Sequence, residues 1–182
     1  MSGDLTYFIG PPGSGKTTLI NALTEGELGW VVKGTHLFPT HTMYDRISVA
    51  QIGAARPDFG GTDILAMNIQ PIATDWLRQA DTPQKLFAEG DRLANDKFFK
   101  AAVDLGWNLT VVLVDIPDDV AAQRRAERGS NQNETWIKGR VTKVRRLAET
   151  WEAVVKRIDG THTTSTQLSE LHFIPVVKEF FH

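Results

Sequence analysis

Residues Gly10-Pro11-Pro12-Gly13-Ser14-Gly15-Lys16-Thr17-Thr18 form a complete G-x-x-x-x-G-K-T phosphate-binding loop. Leu5-Thr6-Tyr7-Phe8-Ile9 precedes it as a short apolar, β-prone run, and Thr18-Leu19-Ile20-Asn21-Ala22-Leu23 opens a helix after it. Strand, loop and helix in that order are what the chemistry needs. Glycines at Gly10, Gly13 and Gly15 let backbone N–H groups curl around a polyphosphate, with Pro12, Ser14 and Thr18 in the same turn. The helix N-terminus adds its partial positive charge. Lys16 is expected to reach the β- and γ-phosphates, and Thr17 to ligate Mg2+. The chain is therefore expected to bind a nucleoside triphosphate, ATP with Mg2+. What happens to the γ-phosphate depends on residues further along.

A length of 182 residues is read as one domain, residues 1–182, and 41% hydrophobic residues suffice for a buried core. There is no cysteine, which removes disulfides and thiolate metal sites. Met1-Ser2-Gly3-Asp4 starts neither a basic nor an apolar leader, so a cytoplasmic location is expected, with no membrane partner. Net charge is −2, but it is unevenly spread. Residues 121–160 hold ten Lys/Arg against five Asp/Glu, and the remainder holds ten against seventeen. A basic segment late in an acidic chain points to an anionic ligand at one place, with a solvated helix face as the alternative.

Strand and helix signals alternate. Strands are expected at 4–9, 30–33, 85–89, 108–114 and 154–158. Helices are expected at 16–25, 42–55, 62–80 with a kink at Pro71, 92–105, 118–128, 138–152 and 165–181. The unbroken run Leu109-Thr110-Val111-Val112-Leu113-Val114 suits a parallel strand covered on both faces. Such strands, joined by helices, imply a parallel sheet with ligands at the C-terminal strand ends. Gly10, Glu89, Asp115 and Asp159 fall at those ends.

Glu89-Gly90-Asp91-Arg92 follows its strand directly. Transfer of a phosphoryl group to a hydroxyl needs a base, a carboxylate near Mg2+ and a cation on the developing charge. Glu89, Asp91 and Arg92 are candidates for those tasks, with Glu89 and Asp91 also on the metal side; Asp91 is alternatively a helix cap. Arg124, Arg125 and Arg128 precede a polar loop, then come Lys138, Arg140, Lys143, Arg145 and Arg146. Arg124 and Arg128 share a helix face and are expected to close on the phosphates as part of a lid at about 125–140. Trp136 would stack on a base or plug a hinge.

Residues 34–80 are the expected acceptor region, with Asp45, Arg46, Arg56 and Asp63, joined by Arg140. Asp45 is a rival for the base. His36 and His41 lack a third ligand for zinc. Asp159-Gly160-Thr161 is expected to edge the adenine. The absence of an N-K-x-D run argues against a guanine-nucleotide switch.

Taken together, the phosphate loop, Glu89-x-x-Arg92, the arginine-rich segment and Asp159-Gly160 resemble the small P-loop kinases over nearly the whole chain. That superfamily includes nucleoside monophosphate kinases, deoxynucleoside kinases and polynucleotide kinase. The resemblance implies an α/β P-loop NTPase three-layer sandwich with a five-stranded parallel sheet and an Arg-rich lid. More narrowly, Gly61-Thr62-Asp63, Glu89-Gly90-Asp91-Arg92-Leu93-Ala94 and Trp136-Ile137-Lys138-Gly139-Arg140 resemble phage-encoded kinases that phosphorylate 5-hydroxymethyluracil within DNA. This implies DNA with a hydroxymethylated pyrimidine as partner and, for a phage protein, the host cytoplasm. A free nucleoside or nucleoside monophosphate is the other acceptor.

Overall fold

The computed structural model describes residues 3–54, 60–130, 132–162, 166 and 167. Its frame is a seven-stranded sheet. The central strand β1 (Asp4–Ile9) lies between β5 (Lys85–Glu89) and β6 (Asn108–Asp115), parallel to both. Beyond β6 runs β7 (Val155–Asp159), also parallel. On the other side β4 (Val49–Ile52) is parallel to β5. An antiparallel hairpin of β2 (Gly29–Val32) and β3 (His41–Tyr44) completes that edge.

The sheet is therefore mixed, not purely parallel as the sequence pattern implied, and the strand starting at Trp30 is an antiparallel edge strand. The expected helix at 42–55 is replaced by β3, a 3-10 turn over Asp45–Ile47, and β4. All four residues of β4 are buried, as in a strand covered on both faces. Ser48, at φ 55, breaks the helical path. Burial on both faces outweighs the weak local preference.

Apolar alternation on β1 builds two cores. Leu5, Tyr7 and Ile9 face a cluster with α2 (Gln70–Trp76), α3 (Asp96–Asp104) and α5 (Glu134–Thr150). Phe8 faces the other cluster, with Leu19 and Ile20 of α1 (Lys16–Leu23). On α3, Phe98, Phe99 and Ala102 form the buried stripe, and Tyr7 meets the Phe99 ring edge-on at 5.1 Å. The helix α4 (Asp118–Glu127) follows β6 over the phosphate loop.

Helix boundaries shift where caps decide them. Asn95 Oδ1 accepts the Phe98 amide at 3.0 Å, so α3 starts at Asp96 and not Arg92. Asn133 Oδ1 accepts the Trp136 amide at 2.8 Å, so the first turns of α5 occupy part of the expected lid. Pro71 does not kink a long helix. It sits in the first turn of α2, where its missing N–H costs nothing. Residues 61–64 form a separate 3-10 turn. The helix expected at 165–181 lies outside the described residues, save 166 and 167.

The chain end of β4 is pressed against that 3-10 turn. Gly53 has φ +95, and a Cβ there would stand 1.8 Å from the Gly61 carbonyl oxygen. Gly53→Ala should lower unfolding free energy by more than about 2 kcal/mol, since strain and a backbone clash add. Gly106 is the control. Its φ is +85, yet nothing lies within 4 Å, so Gly106→Ala should cost only about 1 kcal/mol. Urea unfolding of both variants measures the difference; equal losses would contradict the packing argument.

Candidate active site

The phosphate loop follows β1 at the C-terminal edge of the parallel strands. Gly13 and Gly15 take φ +93 and +97, conformations that turn the loop's amides inward at no side-chain cost. Ser14 is fully buried and its amide donates to the Pro11 carbonyl at 3.1 Å. The half-buried Lys16 donates from Nζ to the carbonyls of Gly10 at 3.0 Å and Pro11 at 3.3 Å. Desolvation draws its pKa down, while Glu89 and Asp63 pull it back up. Thr18 is exposed in the first turn of α1.

Glu89 ends β5, one strand away, and is 3% exposed. Its Oε1 accepts the Thr17 hydroxyl at 2.7 Å. Burial raises its pKa, with Lys16 and then Thr17 opposing. Mg2+ binds through few carboxylates, substrate phosphates and water. Thr17 with Glu89 fits that donor set: Thr17 would hold the ion beside the phosphates and Glu89 would orient it. Among the described residues no three His, Cys, Asp or Glu are grouped to cage a metal by themselves.

Two further carboxylates complete the cluster. Asp63 lies in the 3-10 turn after Gly60-Gly61, and its Oδ1 accepts the Asp91 amide at 2.7 Å. Burial raises its pKa; Lys16, the largest opposing charge, acts with Arg92 and Arg140. Asp91 accepts from Arg140 Nη1 and, at 2.8 Å, from Lys143 Nζ, both on α5. Lys143 is pushed down to about 8 by burial and then by the Arg140 charge. Arg92 turns to Met67 Sδ, and its Nε is a buried donor without a partner among the described residues. Arg140 also lies over the Trp136 ring, 4.8 Å from its centroid.

On the donor side, Arg124 donates to the Gly160 carbonyl at 2.9 Å, and Arg125 to the Pro12 carbonyl at 2.7 Å. Arg128 stands close enough to Lys16 to lower its pKa. Asp159 Oδ1 accepts the amide and hydroxyl of Thr161 at 2.8 and 2.6 Å, which holds its carboxyl below the usual range. The Gly160 amide donates to the Asp115 carbonyl at 2.6 Å, tying the ends of β6 and β7 together.

Not every candidate joins this cluster. Asp45 and Arg46 lie in the β3–β4 turn, which precedes β4 and so sits at the opposite end of the parallel strands from the phosphate loop. There Asp45 accepts from Trp30 Nε1 at 2.9 Å, and Arg46 pairs with Glu27 at 3.0 Å. The hairpin that replaced the expected helix carries both away, and Asp45 is withdrawn as a base. Arg56 lies outside the described residues. His41 is buried against Trp76, 4.7 Å between ring centroids, with its pKa lowered by burial; it is a core residue.

Tyr7 escaped sequence reasoning as part of the site, whereas its partner Thr62 belongs to the Gly61-Thr62-Asp63 stretch. Tyr7 Oη donates to the Gly90 carbonyl at 3.0 Å and lies 3.2 Å from Thr62 Oγ1, and burial raises its pKa. A phenol inside an apolar strand was the available signal. Arg125 and Lys143 stood out in sequence only as members of a basic segment. Their particular partners, Pro12 and Asp91, follow from the fold.

The chain belongs to the P-loop Nucleotide Kinase3 family, whose model matches residues 1–166. It is thus a nucleotide-binding kinase, a phosphotransferase. Among solved structures it is similar to an unliganded sugar kinase from Janibacter sp. HTCC2649, at 14% identity, 97% of this chain, 98% of that one and a TM-score of 0.42. No curated protein matches it in sequence. No helix among the described residues is long and apolar enough to cross a membrane.

Proposed function

We propose that the protein transfers the γ-phosphate of ATP to a hydroxyl, and that the acceptor is the 5-hydroxymethyl group of 5-hydroxymethyluracil in DNA. One observation carries this reading. The three stretches that resemble the phage DNA-base kinases, separated by up to 79 positions in the chain, meet at Asp91, with Asp63 and Glu89 in the field of Lys16. Asp63 of the first accepts the amide of Asp91 in the second, and Arg140 of the third pairs with Asp91. In the proposed reaction Lys16 and the loop amides hold the phosphates. Thr17 and Glu89 would hold Mg2+, which offsets charge on the β- and γ-oxygens when bound. Arg124, Arg128 and the Asp159-Gly160 turn border the nucleotide.

The 5-substituent of a thymine-like base points into the major groove, so its hydroxyl is reachable without reading the pairing edge. The exposed aromatic face of Trp136, backed by Arg140, offers a base a stacking surface. Free nucleosides and nucleoside monophosphates are the competing acceptors. Labelled ATP offered in parallel with hydroxymethyluracil DNA, unmodified DNA and free nucleotides tests the choice. Label is expected on the hydroxymethyluracil DNA; label on free nucleotides alone would overturn the DNA acceptor.

Salt dependence gives a second test. Replacing Lys138, Arg140 and Lys143 by Gln should raise KM for DNA more than KM for ATP. It should also flatten the salt dependence, by about one unit of slope for each DNA phosphate that the segment no longer neutralises. An unchanged slope would count against binding of the DNA backbone by this segment.

A further inference from the structure

Three carboxylates gather at this end of the sheet, Glu89 and Asp63 within the field of Lys16 and Asp91 beside Asp63, and two of the three are already engaged. Glu89 is held on the Thr17 hydroxyl, the metal side of the loop. Asp91 has Arg140 on one oxygen and Lys143 on the other. A carboxylate clamped between two cations is a poor proton acceptor, because each charge favours the ionised form. Asp63 differs. Its Oδ1 accepts the Asp91 backbone amide at 2.7 Å, and no side chain of the described residues donates to it or pairs with it.

Its position is also the most constrained. Thr62, fully buried, is tied through Tyr7 to the Gly90 carbonyl, which anchors the turn before Asp63. On the other side a Cβ at Gly90 would stand only 3.0 Å from Asp63 Cγ. Only a glycine lets the turn and the strand end approach this closely. The carboxyl is thereby fixed among Lys16, Arg92 and Arg140, with Glu89 and Lys143 in the same field. Lys16 is the residue that would meet the transferred phosphoryl group, and Asp63 is the carboxylate in its field that no cation clamps.

We infer that Asp63 is the catalytic base of the transfer, and that Asp91 is a positioning residue that fixes Arg140 and Lys143 of α5 over the acceptor. This replaces the expectation that Glu89 or Asp91 takes the proton, and it rests on the kinase reading above. In the step, the acceptor O–H bond breaks and its proton passes to an Asp63 oxygen. The freed oxygen forms a bond to the γ-phosphorus. The bond from that phosphorus to the bridging oxygen breaks, its electron pair stays on the β-phosphate of ADP, and the proton later leaves Asp63 for water.

The test compares Asp63→Asn, Asp63→Glu and Asp91→Asn in the full chain with hydroxymethyluracil DNA and with free hydroxymethyldeoxyuridine as acceptors. Asp63→Asn should lose at least about 100-fold in kcat with acceptor KM changed by less than about 3-fold. Asp63→Glu, which keeps a base, should recover part of that loss. Asp91→Asn should act mainly on acceptor KM, with a smaller loss in kcat. Direct titration of ATP binding reports that each variant is folded. An Asp63→Asn enzyme within about 3-fold of wild-type kcat, or an Asp91→Asn enzyme with the larger kcat loss, overturns the assignment. A wild-type protein that hydrolyses ATP but phosphorylates neither acceptor nor any free nucleotide overturns the kinase reading, and this inference with it.

Discussion

Replacing Lys16 by Ala is expected to reduce phosphoryl transfer by about three orders of magnitude or more, the scale on which a cation on the transferred group acts. The ammonium is the one side-chain charge inside the phosphate loop, within the fields of Glu89, Asp63 and Arg128. Its hydrogen bonds run to carbonyls of its own loop and, at 3.5 Å, to Ser14 Oγ. It therefore braces no neighbouring element. Desolvation already works against its charged form, so losing it should cost the fold little. Circular dichroism and thermal unfolding should match wild type while turnover disappears. A folded Lys16→Ala protein with near-normal turnover would falsify the assignment of this loop as the phosphate cradle.

Glu89→Gln is expected to lower kcat by about 100- to 1000-fold, through loss of charge beside the metal and not loss of a proton acceptor. The amide keeps an acceptor for the Thr17 hydroxyl, now at 2.7 Å, so the loop geometry survives. The negative charge that balances Lys16 and orients Mg2+ is what disappears. Raising the Mg2+ concentration should recover part of the activity, which it should not do for Asp63→Asn.

The same substitution should raise the melting temperature at neutral pH. Burial lifts the Glu89 pKa above its unfolded value, so protonation favours the fold and ionisation opposes it. That stabilisation is present at low pH and is lost as pH rises through the folded pKa; a neutral amide keeps it at every pH. Wild-type kcat in Glu89→Gln, or a lowered melting temperature, would contradict this reading.

Local sequence carried the phosphate loop, because its glycines, Lys16 and Thr17 are contiguous and their chemistry is set by spacing alone. The ends of β5 and β6 were equally legible, since an apolar run closing on Glu89 or Asp115 marks a covered strand. The β3–β4 hairpin was not. Its apolar positions fit a helix as well as a strand, and only the neighbouring β5 decides between them. That single misreading carried Asp45 and Arg46 to the wrong end of the sheet.

The roles inside the acidic cluster were hidden for a different reason. Glu89 and Asp91 stand two residues apart and look interchangeable in sequence. They are separated by their partners, Thr17 at 72 positions on one side and Arg140 at 49 on the other. The contact of Asp63 with Asp91 spans 28 positions, and no local pattern encodes it. The Tyr7–Thr62 pair, 55 apart, supports the site from beneath in the same way.

The most direct test is to find the phosphate itself. Hydroxymethyluracil DNA is incubated with the protein and ATP, digested to nucleosides without phosphatase action on the base, and read by mass spectrometry. A phosphate ester on the 5-hydroxymethyl oxygen is the expected product, present with the wild-type protein and missing with Lys16→Ala. Phosphate found only at DNA ends, only on free nucleotides, or only as orthophosphate would contradict transfer to the base hydroxyl.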